Sequence, residues 1–184
     1  PRCVEAGAES IELHAGVPDD NSTIKEWEIV SKSVPNGMIS MCLDRKHLSN
    51  DMLIDRIIAA HDVADDRLII QADGIPMSGG TDNFNTTLQA VAIAELINKR
   101  LKFNNNAYKN LPILISGGTN SYTGNLARQL KVPFNGITIG THARKVISKF
   151  RNDPKALSNN ILKEAISNAR TLIESNLIGQ NNVI

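Results

Sequence analysis

Short apolar runs alternate along this chain with longer stretches whose apolar residues recur three and four positions apart. The runs Ser10–His14, Met38–Leu43, Arg67–Ala72, Pro112–Ser116 and Gly136–Gly140 have strand length and read as five strands. Between them, residues 22–33, 50–63, 85–101 and 122–130 carry the helical period, as in Leu88, Val91, Ala92 and Leu96. Strands and helices in this alternation predict a parallel sheet with right-handed crossovers. Strand starts at 10, 38, 67, 112 and 136 lie one βα unit apart except at the third interval, whose extra length falls at Asp73–Phe84 and Leu101–Leu111. A last segment, 153–177, opens on Asp153 as N-cap with Pro154 in the first turn, and continues with Leu157, Ile161, Ala165, Ala169, Leu172 and Ile173. That spacing predicts a terminal helix packed on the sheet.

The expected fold class is therefore α/β, with parallel βα units forming about five strands of a TIM-like (β/α) barrel. The chain's 184 residues fall short of the roughly 250 that a whole eight-stranded barrel uses. It opens at Pro1 on what reads as a helix end, Cys3–Ala6. Residues 1–184 are accordingly expected to be a single C-terminal domain of a longer chain.

Charge changes this picture by exclusion. Lys and Arg number 20 against 19 Asp and Glu, so no broad field draws the chain to nucleic acid or to an acidic membrane surface. No apolar run approaches the ~20 residues of a membrane span and no signal peptide is visible, so a cytoplasmic location is expected. The two cysteines, Cys3 and Cys42, are too few for a disulfide framework, a zinc cluster or an iron–sulfur cluster within this chain. Each is expected to be a small buried apolar residue.

In parallel βα proteins ligands collect at the carboxyl ends of the strands. Period-two alternation places Glu12 and His14 on one face of the first strand, with Ile11 and Leu13 on the other. Asp44 ends the second strand, Gln71 and Asp73 the third, and Ser116 the fourth. These are pocket candidates. Ser78, Gly79 and Gly80 join them from the glycine loop 73–82, which is longer than a connection requires and suits a pocket cover. Within that loop Asp82 is read as a helix cap or turn residue.

The last βαβ unit carries a stronger pattern. Ser116-Gly117-Gly118-Thr119 and Gly140-Thr141 are two glycine turns after successive strands, and they make a candidate anion or phosphate site. Glycine admits positive φ and close approach of N–H groups, and a following helix start adds unpaired donors. The loops after a barrel's last strands often form such a site. A second reading stays open, in which these glycines only permit tight turns. The basic group Arg144, Lys145, Lys149 and Arg151 reads most simply as the solvated face of a helix, with a place near an anion left open.

Other chemistries find little support. Lys46, the only lysine close to a strand end, reads as solvent-facing, which argues against Schiff-base catalysis. His14, His47, His61 and His142 lack the helical spacing of zinc ligands, so no metal site is expected. Ser116 has no Gly-x-Ser-x-Gly elbow. Trp27 reads as core. The catalytic residues are unassigned, and the balance leans away from an enzyme.

The run Gln71-Ala-Asp-Gly-Ile-Pro-Met-Ser-Gly-Gly-Thr-Asp82, followed by Asn85-Thr-Thr-Leu-Gln-Ala-Val-Ala-Ile-Ala-Glu95, resembles the carboxy-terminal domain family of the cyanobacterial light-dependent period protein, LdpA. Ile115-Ser-Gly-Gly-Thr-Asn120 and Gly140-Thr-His-Ala-Arg-Lys145 are similar to the same family, and the likeness runs from Cys3 to about Phe150. The resemblance implies a redox-sensing regulator of the circadian clock, with clock or redox-signalling proteins as partners. It also implies iron–sulfur clusters held upstream, not by Cys3 or Cys42. It implies no catalytic residue. The alternative is part of a barrel enzyme that handles a flavin or a sugar phosphate.

Overall fold

The computed structural model describes residues 2–74, 83–151, 155 and 158–177. Five strands, β1 (Ile11–His14), β2 (Ile39–Leu43), β3 (Leu68–Asp73), β4 (Ile113–Ser116) and β5 (Gly136–Ile137), form one sheet in the order β1-β2-β3-β4-β5. Every pairing is parallel. The helices are α1 (Arg2–Glu5), α2 (Asp20–Ser33), α3 (Asn50–Ala64), α4 (Asn83–Ile97), α5 (Thr123–Gln129), α6 (Thr141–Ile147) and α7 (Asn159–Leu177). The α/β alternation read from the sequence is thus present. Its strictly sequential strand order is the one that strands follow around a barrel wall, and it contains no reversal of the kind that makes a crevice in doubly wound sheets.

Local chemistry explains where the elements begin. Asp19 caps α2 by accepting the Ser22 N–H, and Ser49 caps α3 by accepting the Met52 N–H. Each side chain satisfies a donor that the first helical turn leaves without an intrahelical acceptor. After α4 the chain widens into a π-helical turn, Asn98–Lys102, and then forms a short 3₁₀ turn, Asn106–Tyr108. These account for part of the extra length before β4. The terminal helix is observed from Asn159; Asp153, Pro154 and Leu157, on which its start was read, lie outside the described residues.

The register sorts the sheet into two faces. Ile39 pairs with Leu68, Met41 with Ile70, and Ile70 with Ile113. All five of these side chains are fully buried, in one cluster with Trp27, Leu53, Ile57, Ala90, Ile93 and Ile97 from α2, α3 and α4. Trp27 is core as expected, and its indole N–H donates to the Ala60 carbonyl at 2.9 Å. The intervening residues face the other way, and on β1–β3 they are mostly polar: Glu12, His14, Ser40, Cys42, Gln71 and Asp73.

The segment after β1 is anchored from the helical layer. Buried Arg56 of α3 donates to the carbonyls of Ala15 and Val17 and pairs with Asp20. Because those carbonyls have no ladder partner, the guanidinium satisfies them while its own charge is compensated by the carboxylate. The end of β1, and so His14, is held in place.

Candidate functional site

The polar face leads at its carboxyl end into a cavity of about 500 Å³. That is within the size range of small-molecule sites. From the first three strands it is lined by Glu12, His14, Gln71 and Asp73. From β4, β5 and the turns after them it is lined by Ser116, Gly117, Gly118, Thr119, Thr138, Gly140, Thr141 and Arg144. Ten residues singled out from the sequence therefore share one cavity.

One candidate pocket residue lies elsewhere. Asp44 does not line the cavity: its Oδ1 accepts the Lys46 N–H at 2.8 Å, and its carboxylate packs against Gly16. Ser78, Gly79 and Gly80, with Asp82, lie outside the described residues.

The first half of the cavity is acidic. His14 Nε2 lies 2.9 Å from Glu12 Oε1, and the Gln71 amide donates to Glu12 Oε2 and, at 3.1 Å, to Ser40 Oγ. On the neighbouring strand the Cys42 thiol donates to Asp73 Oδ2 at 3.3 Å. Burial pushes the Asp73 carboxyl above its usual range, the Cys42 thiol acting against that shift and the Asp44 charge adding to it. Burial, then the adjacent Asp73 charge, drives the Cys42 thiol strongly upward. Both causes disfavour the charged form, so Cys42 is held as a thiol in the free domain. The pair of cysteines read as buried and apolar divides: Cys42 is buried and hydrogen-bonded, whereas Cys3 is exposed on α1. Cys3 sits on a short four-residue helix with no buried residue, so no packing layer covers it.

The second half carries the glycine turns. Gly117 and Gly118 both have positive φ, 59° and 73°, where a Cβ would be strained. At Gly117 a Cβ would also stand 1.5 Å from Asp73 Oδ1. Gly140 differs, with φ of −101° and a nearest atom 3.8 Å from a built Cβ. Its glycine meets no positive-φ demand.

The donors available to an anion also differ from the simple helix-start picture. At the start of α5 the Asn120 N–H donates to Thr123 Oγ1, the Tyr122 N–H to Asn120 Oδ1, and the Thr123 N–H to the Asn120 carbonyl. Those groups are satisfied internally. The amides of Gly117, Gly118 and Thr119, by contrast, have no acceptor among the described residues. The Gly118 carbonyl accepts from Thr86 and Thr87, and the Thr119 hydroxyl donates to the Thr138 carbonyl at 2.5 Å, so the turn is pinned while its amides stay unengaged.

Arg144, exposed on its helix as the sequence reading has it, also lines the cavity. Its Nη2 donates to Thr141 Oγ1 at 3.0 Å, and no carboxylate pairs with it among the described residues. Helical side chains lean toward the N-terminus. The signal for Arg144 was its place four residues after Gly140 on a helix beginning at the strand end. Thr138 was missed because the strand was read through Gly140, which put Thr138 in its interior, whereas β5 ends at Ile137.

A family profile, the light dependent period A (LdpA) C-terminal domain, matches residues 3–175. The chain belongs to this family. No curated protein matches it. As an LdpA C-terminal domain it is part of a circadian, light-dependent period protein. Among the described residues no helix is long and apolar enough to cross a membrane.

An iron–sulfur cluster does not fit these residues. The LdpA domain has two cysteines, one exposed on α1 and one buried in β2 under a hydrogen bond to Asp73, whereas such clusters are held by sets of about four protein ligands.

Proposed function

We propose that this LdpA C-terminal domain is the ligand-sensing module of a redox-linked clock regulator, and that it binds a small phosphate-bearing molecule at the carboxyl ends of its strands. The observation that supports this reading is the pairing, in one cavity, of unengaged amides at Gly117–Thr119 with an Arg144 guanidinium that has no carboxylate partner among the described residues. A phosphate oxygen accepts from backbone N–H groups and gains most from a planar guanidinium fork. The acidic half opposite would take hydroxyl or amine groups of the same ligand, through Glu12 and Asp73. Iron–sulfur clusters belong, in this reading, to another part of the parent protein, and the bound state of the domain is what clock or redox partners would sense.

Inorganic phosphate is the first probe. At about 100 times Kd a ligand raises stability by roughly 2.7 kcal/mol, which in a domain of this size moves Tm by about 5–10 °C. Arg144→Gln should remove the shift and Arg170→Gln, on exposed α7, should keep it. A protein whose Tm ignores phosphate, flavin mononucleotide and sugar phosphates alike, or a shift that survives Arg144→Gln, defeats the reading. Turnover of any of those ligands would favour the barrel-enzyme alternative.

A further inference from the structure

The acidic half of the cavity holds a second arrangement, which includes Glu12 but needs neither the glycine-turn amides nor Arg144. Glu12 and His14 are two apart on β1, and the register sets His14 directly beside Cys42 of β2. A carboxylate oxygen of Glu12, a ring nitrogen of His14 and Sγ of Cys42 all lie within 4.8 Å of one another. We infer that these three side chains form a site for a single divalent transition-metal ion of the zinc type, held by one oxygen, one nitrogen and one sulfur donor with its fourth position open to the cavity.

Chemistry and geometry agree on the class of ion. Zinc bonds to carboxylate oxygen and imidazole nitrogen at about 2.0–2.2 Å and to thiolate at about 2.3 Å. Tetrahedral donors on one ion therefore stand a little over 3 Å apart, so the group needs only a small contraction. A hard oxygen-loving cation would gain little from sulfur, whereas a mixed sulfur and imidazole set suits zinc or cobalt. Three protein ligands with one open position is also the arrangement of reactive rather than purely structural zinc sites.

A supporting shell is already in place. The Gln71 amide holds Glu12 Oε2, which leaves Oε1 turned toward His14, and Ser40 steadies Gln71 in turn. Asp73 Oδ2 already accepts the Cys42 S–H hydrogen bond. On binding, the S–H bond breaks and a metal–sulfur bond forms; the proton leaves by way of Asp73 to water, and no electron changes hands. The side chains of His14 and Glu12 are exposed, while Cys42 is 2% exposed, so the ion would enter from the cavity and seat against the sheet. This inference rests on β1 and β2 and stands without the Gly117–Thr119 amides and Arg144, which carry the phosphate reading.

The test uses the whole chain, reduced, stripped with a chelator and kept in phosphate-free buffer, with Co²⁺ and Zn²⁺ alone as probes. One equivalent of Co²⁺ should produce a thiolate-to-metal charge-transfer band and tetrahedral visible absorption, which one equivalent of Zn²⁺ then bleaches. Cys42→Ser should abolish the charge-transfer band, and Cys3→Ser should leave it intact. His14→Gln alters an exposed side chain that the fold does not need, and it should weaken binding while the far-ultraviolet circular dichroism stays unchanged. Gln71→Ala should loosen the ion by roughly 10–100-fold through the lost supporting bond. No charge-transfer band in the unmodified protein, a band that survives Cys42→Ser or vanishes with Cys3→Ser, or equal affinity in His14→Gln would each overturn the site.

Discussion

Ile70 and Gln71 follow one another on β3, yet the first is sealed against helices and the second lines a cavity with Glu12, His14 and Asp73. The sheet thus spends its two faces differently. One face is a continuous apolar layer whose value is burial, worth roughly 25 cal/mol per Å² removed from water. The other gives up that burial for hydrogen-bonded polar groups, whose net contribution to stability is small but whose loss leaves partners unsatisfied. Stability and binding are therefore expected to respond to different residues of the same strand.

The largest effect should come from the apolar face. Ile70→Ala should cost about 2–5 kcal/mol in urea unfolding, through lost burial and the void left behind, with no change in ligand preference among molecules that remain folded. Gly117→Ala comes next, since positive φ alone costs an ordinary residue about 1–2 kcal/mol and the new methyl must also displace Asp73. Gly140→Ala, where the backbone and the space both admit a Cβ, should stay within about 0.5 kcal/mol of the parent. Equal losses at the two glycines would erase the distinction between a strained turn and an unstrained one.

Asp73→Asn sharpens the contrast by sign. Burial raises the folded carboxyl above the range of a free aspartate, so its favourable protonated contribution is full below the unfolded pKa and is lost as pH rises through the folded pKa. The variant should be more stable than the parent at neutral pH, and the gap should close in acid; a gap that is constant with pH would show that Asp73 is not desolvated. Smallest in stability is Arg144→Gln, expected within about 0.5 kcal/mol while the phosphate response disappears.

Much of this was legible in the order of residues, for identifiable reasons. Period-two alternation in β1 separated Glu12 and His14 from Ile11 and Leu13, whereas on β2 Ser40 was not singled out and Cys42 was read only as a small buried residue. What alternation could not supply was register. Only the pairing of His14 with Cys42 brings a donor from β2 into the Glu12–His14 pair. The fifth strand was read as far as Gly140 but ends at Ile137. Its residues carry the right alternation, yet it is the last strand of the sheet, and beyond Ile137 a single Thr138 N–H to Ile115 carbonyl bond continues the ladder. Arg144 is exposed, as its reading as solvated charge has it, and what the order of residues did not show is that it also reaches the cavity rim.

Gly117 has one more consequence. Because its Cα lies directly against Asp73 Oδ1, the carboxylate and the turn share a wall with no slack between them. A carboxylate drawn toward the thiol would open that wall, and one pushed toward β4 would meet backbone at once. The two ends of the cavity thus meet at a single missing methyl group, which leaves the turn no room for any other residue.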